Sequence, residues 1–209
     1  MGNFLAGPGS IKVTVCVPDG TTRELAAFKA YFTAERNRAK TLPQATTRGL
    51  DRRESAARRS MWARQKEELR RAGELVDSSR ALITGGLVRV ITERGWDPQQ
   101  LASVPHQAHG RWIGDSEYGW AERISVELPA DLVNLAKAGC WHVSREATNA
   151  LHQWRQRNPK ARPTRRMNPR CDPEQQAEYE RLAAQILTPG AIWRAAVEAG
   201  MTIARGRSG

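Results

Sequence analysis

Arginine is the residue type that could do chemistry in this chain. Of 33 basic residues, 27 are Arg and 6 are Lys, against 22 Asp and Glu, for a net charge of +11. A guanidinium presents a rigid fork of donors that matches phosphate oxygens and base edges, so the choice points to nucleic acid. The charge falls in two blocks. Residues 36–71 hold 12 basic and 4 acidic side chains, a net of +8, and residues 155–170 hold 7 basic and none acidic, a net of +7. Together the blocks carry +15, which leaves the rest of the chain at −4. Two separate Arg-rich blocks in an otherwise acidic chain make a nucleic-acid footprint rather than a merely solvated surface. The first offers Arg52, Arg53, Arg58, Arg59, Arg70 and Arg71 as a basic patch. The second offers Arg155, Arg157, Arg162, Arg165 and Arg166 as phosphate contacts.

Other reactive residues do not assemble into a site. His106 and His109 stand three apart, with Cys140 and His142 further on, but no CxxC or helical HExxH accompanies them. A packed or solvated pair is the simpler reading than a metal site. Glu67 and Glu68 are sequence neighbours on a helix surface and form no acid–base dyad. No G-x-S-x-G, P-loop or G-x-G-x-x-G occurs. The expectation is a protein with no enzymatic site, no cofactor and no metal.

The elements that must position the arginines follow from periodicity. Ile11 to Val17 alternates apolar and polar, a half-buried strand, and Pro18-Asp19-Gly20 is a turn. Leu25, Phe28 and Phe32 recur at helical spacing, predicting a helix over 22–36. Asp51 caps a long, heavily charged helix running to about Ser78, and a second helix over 79–94 is interrupted by Gly85-Gly86 and ended by Gly95. Residues 104–119 read as a loop that packs by its aromatics. Leu, Ile, Val and Phe total 37 residues, about 18%, a small share for a core. No apolar run is long enough for a membrane span, no secretory signal opens the chain, and Cys16, Cys140 and Cys171 form no paired framework. The expectation is a cytoplasmic protein with reduced thiols, associated with the bacterial nucleoid or a plasmid.

One segment is more specific. Arg123-Ile124-Ser125-Val126-Glu127-Leu128 alternates, and Pro129 follows. A short helix over 130–138 with Gly139 as its stop leads into Trp141-His142-Val143. Ser144 then caps a longer helix with Ala147, Ala150, Leu151 and Trp154 on one stripe. This order of strand, short helix, tight link and longer helix resembles the ribbon-helix-helix DNA-binding family, and in residue pattern its CcdA-type antitoxin branch, over about residues 123–157. The resemblance implies a dimer, because two chains pair their strands and close their helices over one face. The other face enters the major groove, where each base pair shows its own donor and acceptor pattern. Arg123, Ser125 and Glu127 would then read bases, with Glu127 out of place before phosphates unless it accepts from cytosine or pairs with Arg123 or Arg145. The second helix's N-terminus at Ser144 and Arg145 would hold a backbone phosphate. The Pro-rich block behind it would follow the duplex as an arm.

The expected fold class is mainly α with a small β component: a ribbon-helix-helix dimer unit plus an N-terminal strand–helix region with a long basic helix. The expected division is 1–50, strand and helix; 51–121, basic helical region and aromatic loop; 122–158, ribbon-helix-helix unit; 159–209, basic arm and C-terminal helices. Residues 172 onward predict a helix striped by Tyr179, Leu182, Ala183 and Ile186, and a last one from Pro189, stopped at Gly200. Those helices bind a protein partner or pack on the body. The expected function is a dimeric, sequence-specific binder of double-stranded DNA, as a repressor or a plasmid or phage accessory factor for partition, mobilisation or recombination. The alternatives are an antitoxin and a non-specific architectural binder.

Overall fold

The computed structural model describes residues 9–41, 50–101, 120–161 and 172–208. These form a mainly helical protein with a two-stranded antiparallel sheet. The aromatic loop, the connection after Thr41 and residues 162–171 lie outside the described residues.

The alternating segments are strands: β1 (Ser10–Val17) and β2 (Glu122–Pro129). On their inward face Val13, Val15, Val17, Val126 and Leu128 are buried, while Lys12, Thr14, Arg123, Ser125 and Glu127 are exposed. The two strands pair with each other in one chain, with Ile11 opposite Leu128, Val13 opposite Val126 and Val15 opposite Ile124. This corrects the expectation that a second chain supplies the partner strand. An intramolecular strand with the same inward valines satisfies the ladder without the entropy cost of association.

The helix expected over 22–36 is two helices, α1 (Thr21–Ala27) and α2 (Lys29–Thr41). The break at Phe28 still leaves Leu25, Phe28 and Phe32 buried. Next comes α3 (Arg52–Arg71), opened by a capping box: Asp51 accepts from Glu54 N at 2.7 Å, and the Glu54 carboxylate accepts from Asp51 N at 3.3 Å. It ends at Arg71 rather than near Ser78, because Gly73 turns left-handed at φ 69°. The N–H groups of Glu74 and Leu75 then donate back to the Leu69 carbonyl at 2.8 and 3.1 Å. Leu75 and Val76 are buried in the connection that follows. The next helix, α4 (Ser79–Glu93), is capped by Ser78, whose Oγ accepts from Ala81 N at 3.2 Å. Gly85 and Gly86 leave it uninterrupted; a Cβ on Gly86 would collide with the Ala196 carbonyl, so the residue serves close packing, not a kink.

The largest departure follows β2. The expected short helix, link and longer helix are one continuous helix, α5 (Ala130–Arg157). Gly139 does not stop it, because the Trp96 ring packs where a Cβ would be. Ser144 does not cap a new helix; it is buried inside α5. The chain closes with α6 (Pro173–Ala184) and α7 (Pro189–Ser208). The latter runs past Gly200, whose missing Cβ admits Leu82.

Two compact units result. The first holds β1, α1 to α4, β2 with the first turn of α5, and α7 from Trp193. In it β2 touches α1 and α4, and α3 lies against α4. Leu82, Ile83, Leu87 and Ile91 of α4 are fully buried, each worth about 1.5–3 kcal/mol in transfer terms. In the second, Ala147, Leu151 and Trp154 of α5 pack on Leu182 and Ile186 from α6 and the turn after it, with the Tyr179 ring 5.3 Å from that of Trp154.

Candidate nucleic-acid interface

The ribbon's outward face is built by β-alternation alone. Buried valines hold one side of β1 and β2, so every second side chain must point away from them. On β1 these are Ser10, Lys12 and Thr14, and on β2 they are Arg123, Ser125 and Glu127, all exposed. Cys16 takes the next outward position and is nonetheless buried. The register sets Lys12 opposite Glu127, Thr14 opposite Ser125 and Cys16 opposite Arg123. The Thr14 and Ser125 hydroxyls lie 3.2 Å apart, and Ser10 Oγ donates to Glu127 Oε2 at 3.3 Å. The anionic oxygen that seemed misplaced in the sequence thus has a hydroxyl donor and a lysine across the ribbon.

The far end of the ribbon is fastened by Glu122. Its carboxylate accepts from Gly20 N at 3.1 Å and Thr22 N at 2.7 Å, at the start of α1. Those N–H groups, Thr22 foremost, hold the Glu122 carboxyl below its ordinary value. This fixes the β1–α1 turn against β2.

The basic patch on α3 divides in two. Arg52, Arg53, Arg58, Arg59 and also Arg64 are exposed, and no residue of α3 is buried. Arg70 and Arg71 instead face carboxylates of the chain itself. Arg70 meets Asp77 with Nε at 3.0 Å and Nη2 at 2.6 Å. Arg71 meets Asp131 with its two terminal nitrogens at 2.6 and 3.0 Å. The Asp77 hydrogen bond raises the Arg70 pKa further above its already high value. These two residues therefore tie α3 to the body and do not belong to the exposed basic face.

The expected phosphate contact at Ser144 is also corrected. Its amide lies inside α5, so no helix N-terminus exists there. Its hydroxyl accepts from Leu187 N at 2.8 Å and donates to Leu187 O at 3.2 Å, with no surface left exposed. Arg145 and Arg155 are exposed on α5, and Arg157 makes an exposed pair with Glu178 at 3.4 Å. Arg162, Arg165 and Arg166 lie outside the described residues, as do His106 and His109. Cys140 is buried and His142 exposed, and among the described residues no group of three His, Cys, Asp or Glu side chains could hold a metal ion. No helix among them is long and apolar enough to cross a membrane.

Sequence reasoning missed Lys12 and Thr14 as members of the outward face. The signal was present in the alternation of β1, but without the strand pairing nothing connected it to residues 123–127. The chain matches no protein-family model, no curated protein and no solved structure.

Proposed function

We propose that this chain is a sequence-specific binder of double-stranded DNA that lays its two-stranded ribbon in the major groove. The observation that carries the reading is the ribbon's division of labour. One face is buried aliphatic, and the other exposes a cation, an anion and hydroxyls at alternate positions. The major groove admits a two-stranded ribbon, and its base edges present the complementary donors and acceptors. Arg123 suits guanine O6 and N7, Ser125 can donate or accept, and Glu127 accepts from the cytosine amino group. The exposed arginines of α3 would add sequence-independent phosphate contacts. As in the expectation from sequence, the biological role is a repressor or a plasmid or phage accessory factor acting at the nucleoid or plasmid, with no enzymatic step. A second chain is no longer needed to complete the ribbon.

One observation favours a second reading, a non-specific architectural binder. The exposed arginines of α3 encircle the helix instead of forming one stripe. The antitoxin reading gains nothing comparable, since the apolar stripes of α6 and α7 are covered by the chain itself. Selection of bound fragments from genomic and plasmid DNA, followed by titration against salt, separates the two. A specific reader keeps a large affinity ratio for its site over random duplex, and Arg123→Ala reduces that ratio. If Arg123→Ala leaves the ratio untouched, the ribbon is not the reader.

A further inference from the structure

The two strands repeat one pattern. Ile11-Lys12-Val13-Thr14-Val15-Cys16-Val17-Pro18 aligns with Glu122-Arg123-Ile124-Ser125-Val126-Glu127-Leu128-Pro129, and six of the eight positions carry the same residue or one of the same chemistry. Alternation alone requires the aliphatic side chains. It requires neither a cation at both Lys12 and Arg123, nor a hydroxyl at both Thr14 and Ser125, nor a proline closing both segments. The alignment equates Thr14 with Ser125, and the ladder pairs the same two residues. A local two-fold axis of the antiparallel pair therefore passes between their hydroxyls, which lie 3.2 Å apart. About that axis Lys12 and Arg123, both exposed, are counterparts on opposite strands. Glu127 and the buried Cys16 are counterparts too, and they break the match.

We infer that one chain is a built-in pseudo-dimer that alone reads a short pseudo-palindromic core, with Lys12 and Arg123 as equivalent specificity-determining residues at its two ends. This rests on the DNA-binding reading above. The symmetry of a two-fold reader is mirrored in a palindromic site. A ribbon laid along the major groove with its axis on that of the duplex gives Lys12 and Arg123 equivalent surroundings, one for each DNA strand. Lysine and arginine both donate to O6 and N7 of guanine, so both ends of the core favour guanine, on opposite strands. Each cation stands two residues from the axis, about 7 Å, so the two are about 14 Å apart along the ribbon. At about 3.4 Å per base pair the core spans roughly four base pairs. The Thr14 and Ser125 hydroxyls sit over its centre, where either can donate or accept and discrimination is weak. Glu127 lies across the ladder from Lys12, so a further, one-sided preference falls at the Lys12 end. Both strands belong to one chain, whose own α1 and α4 touch β2, so a second copy is not needed.

The test is selection from randomised duplexes with the full chain, repeated with Lys12→Ala, Arg123→Ala and Lys12→Arg, and with the mass of each complex measured. Both side chains are exposed, and circular dichroism checks that each variant keeps its fold. The expected motif has a core with guanine at each end on opposite strands, occupied by one chain. Lys12→Ala and Arg123→Ala each relax preference by about tenfold, each at one end, at base pairs related by the two-fold axis. Lys12→Arg completes the symmetry and keeps the guanine preference that Lys12→Ala loses. The inference is overturned, with DNA binding left intact, by a motif with unrelated ends or a core that takes two chains. It is equally overturned if the two alanine substitutions act on one base pair, on none, or uniformly over all sequences. If no duplex is enriched at all, the DNA-binding reading fails and takes the inference with it.

Discussion

Glu122 accepts the backbone N–H of Thr22 at 2.7 Å across 100 residues of sequence. A carboxylate whose ionised form is held in this way titrates below its ordinary value of 4.5 in the folded chain. The sign follows from linkage: the stabilisation is fully present above the ordinary value and is lost as pH falls through the depressed folded value. Glu122→Gln keeps an acceptor but has no such titration. Melting curves from about pH 6 to about pH 3 should show the wild type losing its advantage over Glu122→Gln below about pH 4.5. Curves that fall in parallel would show that the contact carries no ionic stabilisation.

Gly86 and Gly206 make a controlled pair. Both lie in helices, where alanine is favoured over glycine by about 1 kcal/mol. A Cβ at Gly206 meets nothing within 4 Å, whereas at Gly86 it meets the backbone of Ala196 and Gly200. Gly206→Ala should be neutral or stabilising by up to about 1 kcal/mol. Gly86→Ala should destabilise by about 1–3 kcal/mol or more, because helix backbones cannot yield as a side chain can. Urea midpoints of the two variants decide it, and a Gly86→Ala midpoint at or above wild type would refute the packing.

The glycines also explain where sequence was readable and where it was not. Gly95 ends α4 left-handed at φ 65°, as its position after the last apolar residue predicts. Gly139 and Gly200 looked alike in sequence, yet neither has a positive φ; each makes room for a neighbour, Trp96 or Leu82. A helix stop and a close approach demand the same residue for different reasons, and only the tertiary partner distinguishes them. The strands were legible because alternation is local. Their pairing was not, because 111 residues separate Thr14 from Ser125 and either chain of a dimer could have supplied the ladder. The cap at Asp51 was legible, since a side-chain acceptor acts within three residues, whereas Ser78, read as the end of the preceding helix, caps the next one.

The division of the α3 arginines predicts two different phenotypes. Arg52→Ala, Arg53→Ala and Arg59→Ala remove exposed side chains and should change stability by less than about 0.5 kcal/mol. On the DNA-binding reading, each should lower the salt dependence of binding by about 0.9 in slope per phosphate contact removed. Arg71→Ala strands the Asp131 carboxylate, which is only 17% exposed, and should destabilise by about 2 kcal/mol. Chemical denaturation and salt titration of the four variants separate the two classes. A uniform loss of stability, or a uniform loss of salt slope, would contradict the division.

Ser144 tests the correction to α5 most directly. Its hydroxyl satisfies both the N–H and the carbonyl of Leu187 within the second unit. Ser144→Ala leaves that N–H without its acceptor in a buried setting, at a cost of about 1–3 kcal/mol. Had Ser144 been a helix cap against phosphate, the same substitution would chiefly weaken DNA binding. The structure predicts the reverse: a lower urea midpoint with little change in affinity for duplex, measured where the variant is still fully folded. Ser144→Cys, with a weak acceptor of similar shape, should fall between alanine and wild type in stability. An affinity loss without a stability loss would place a helix terminus back at residue 144.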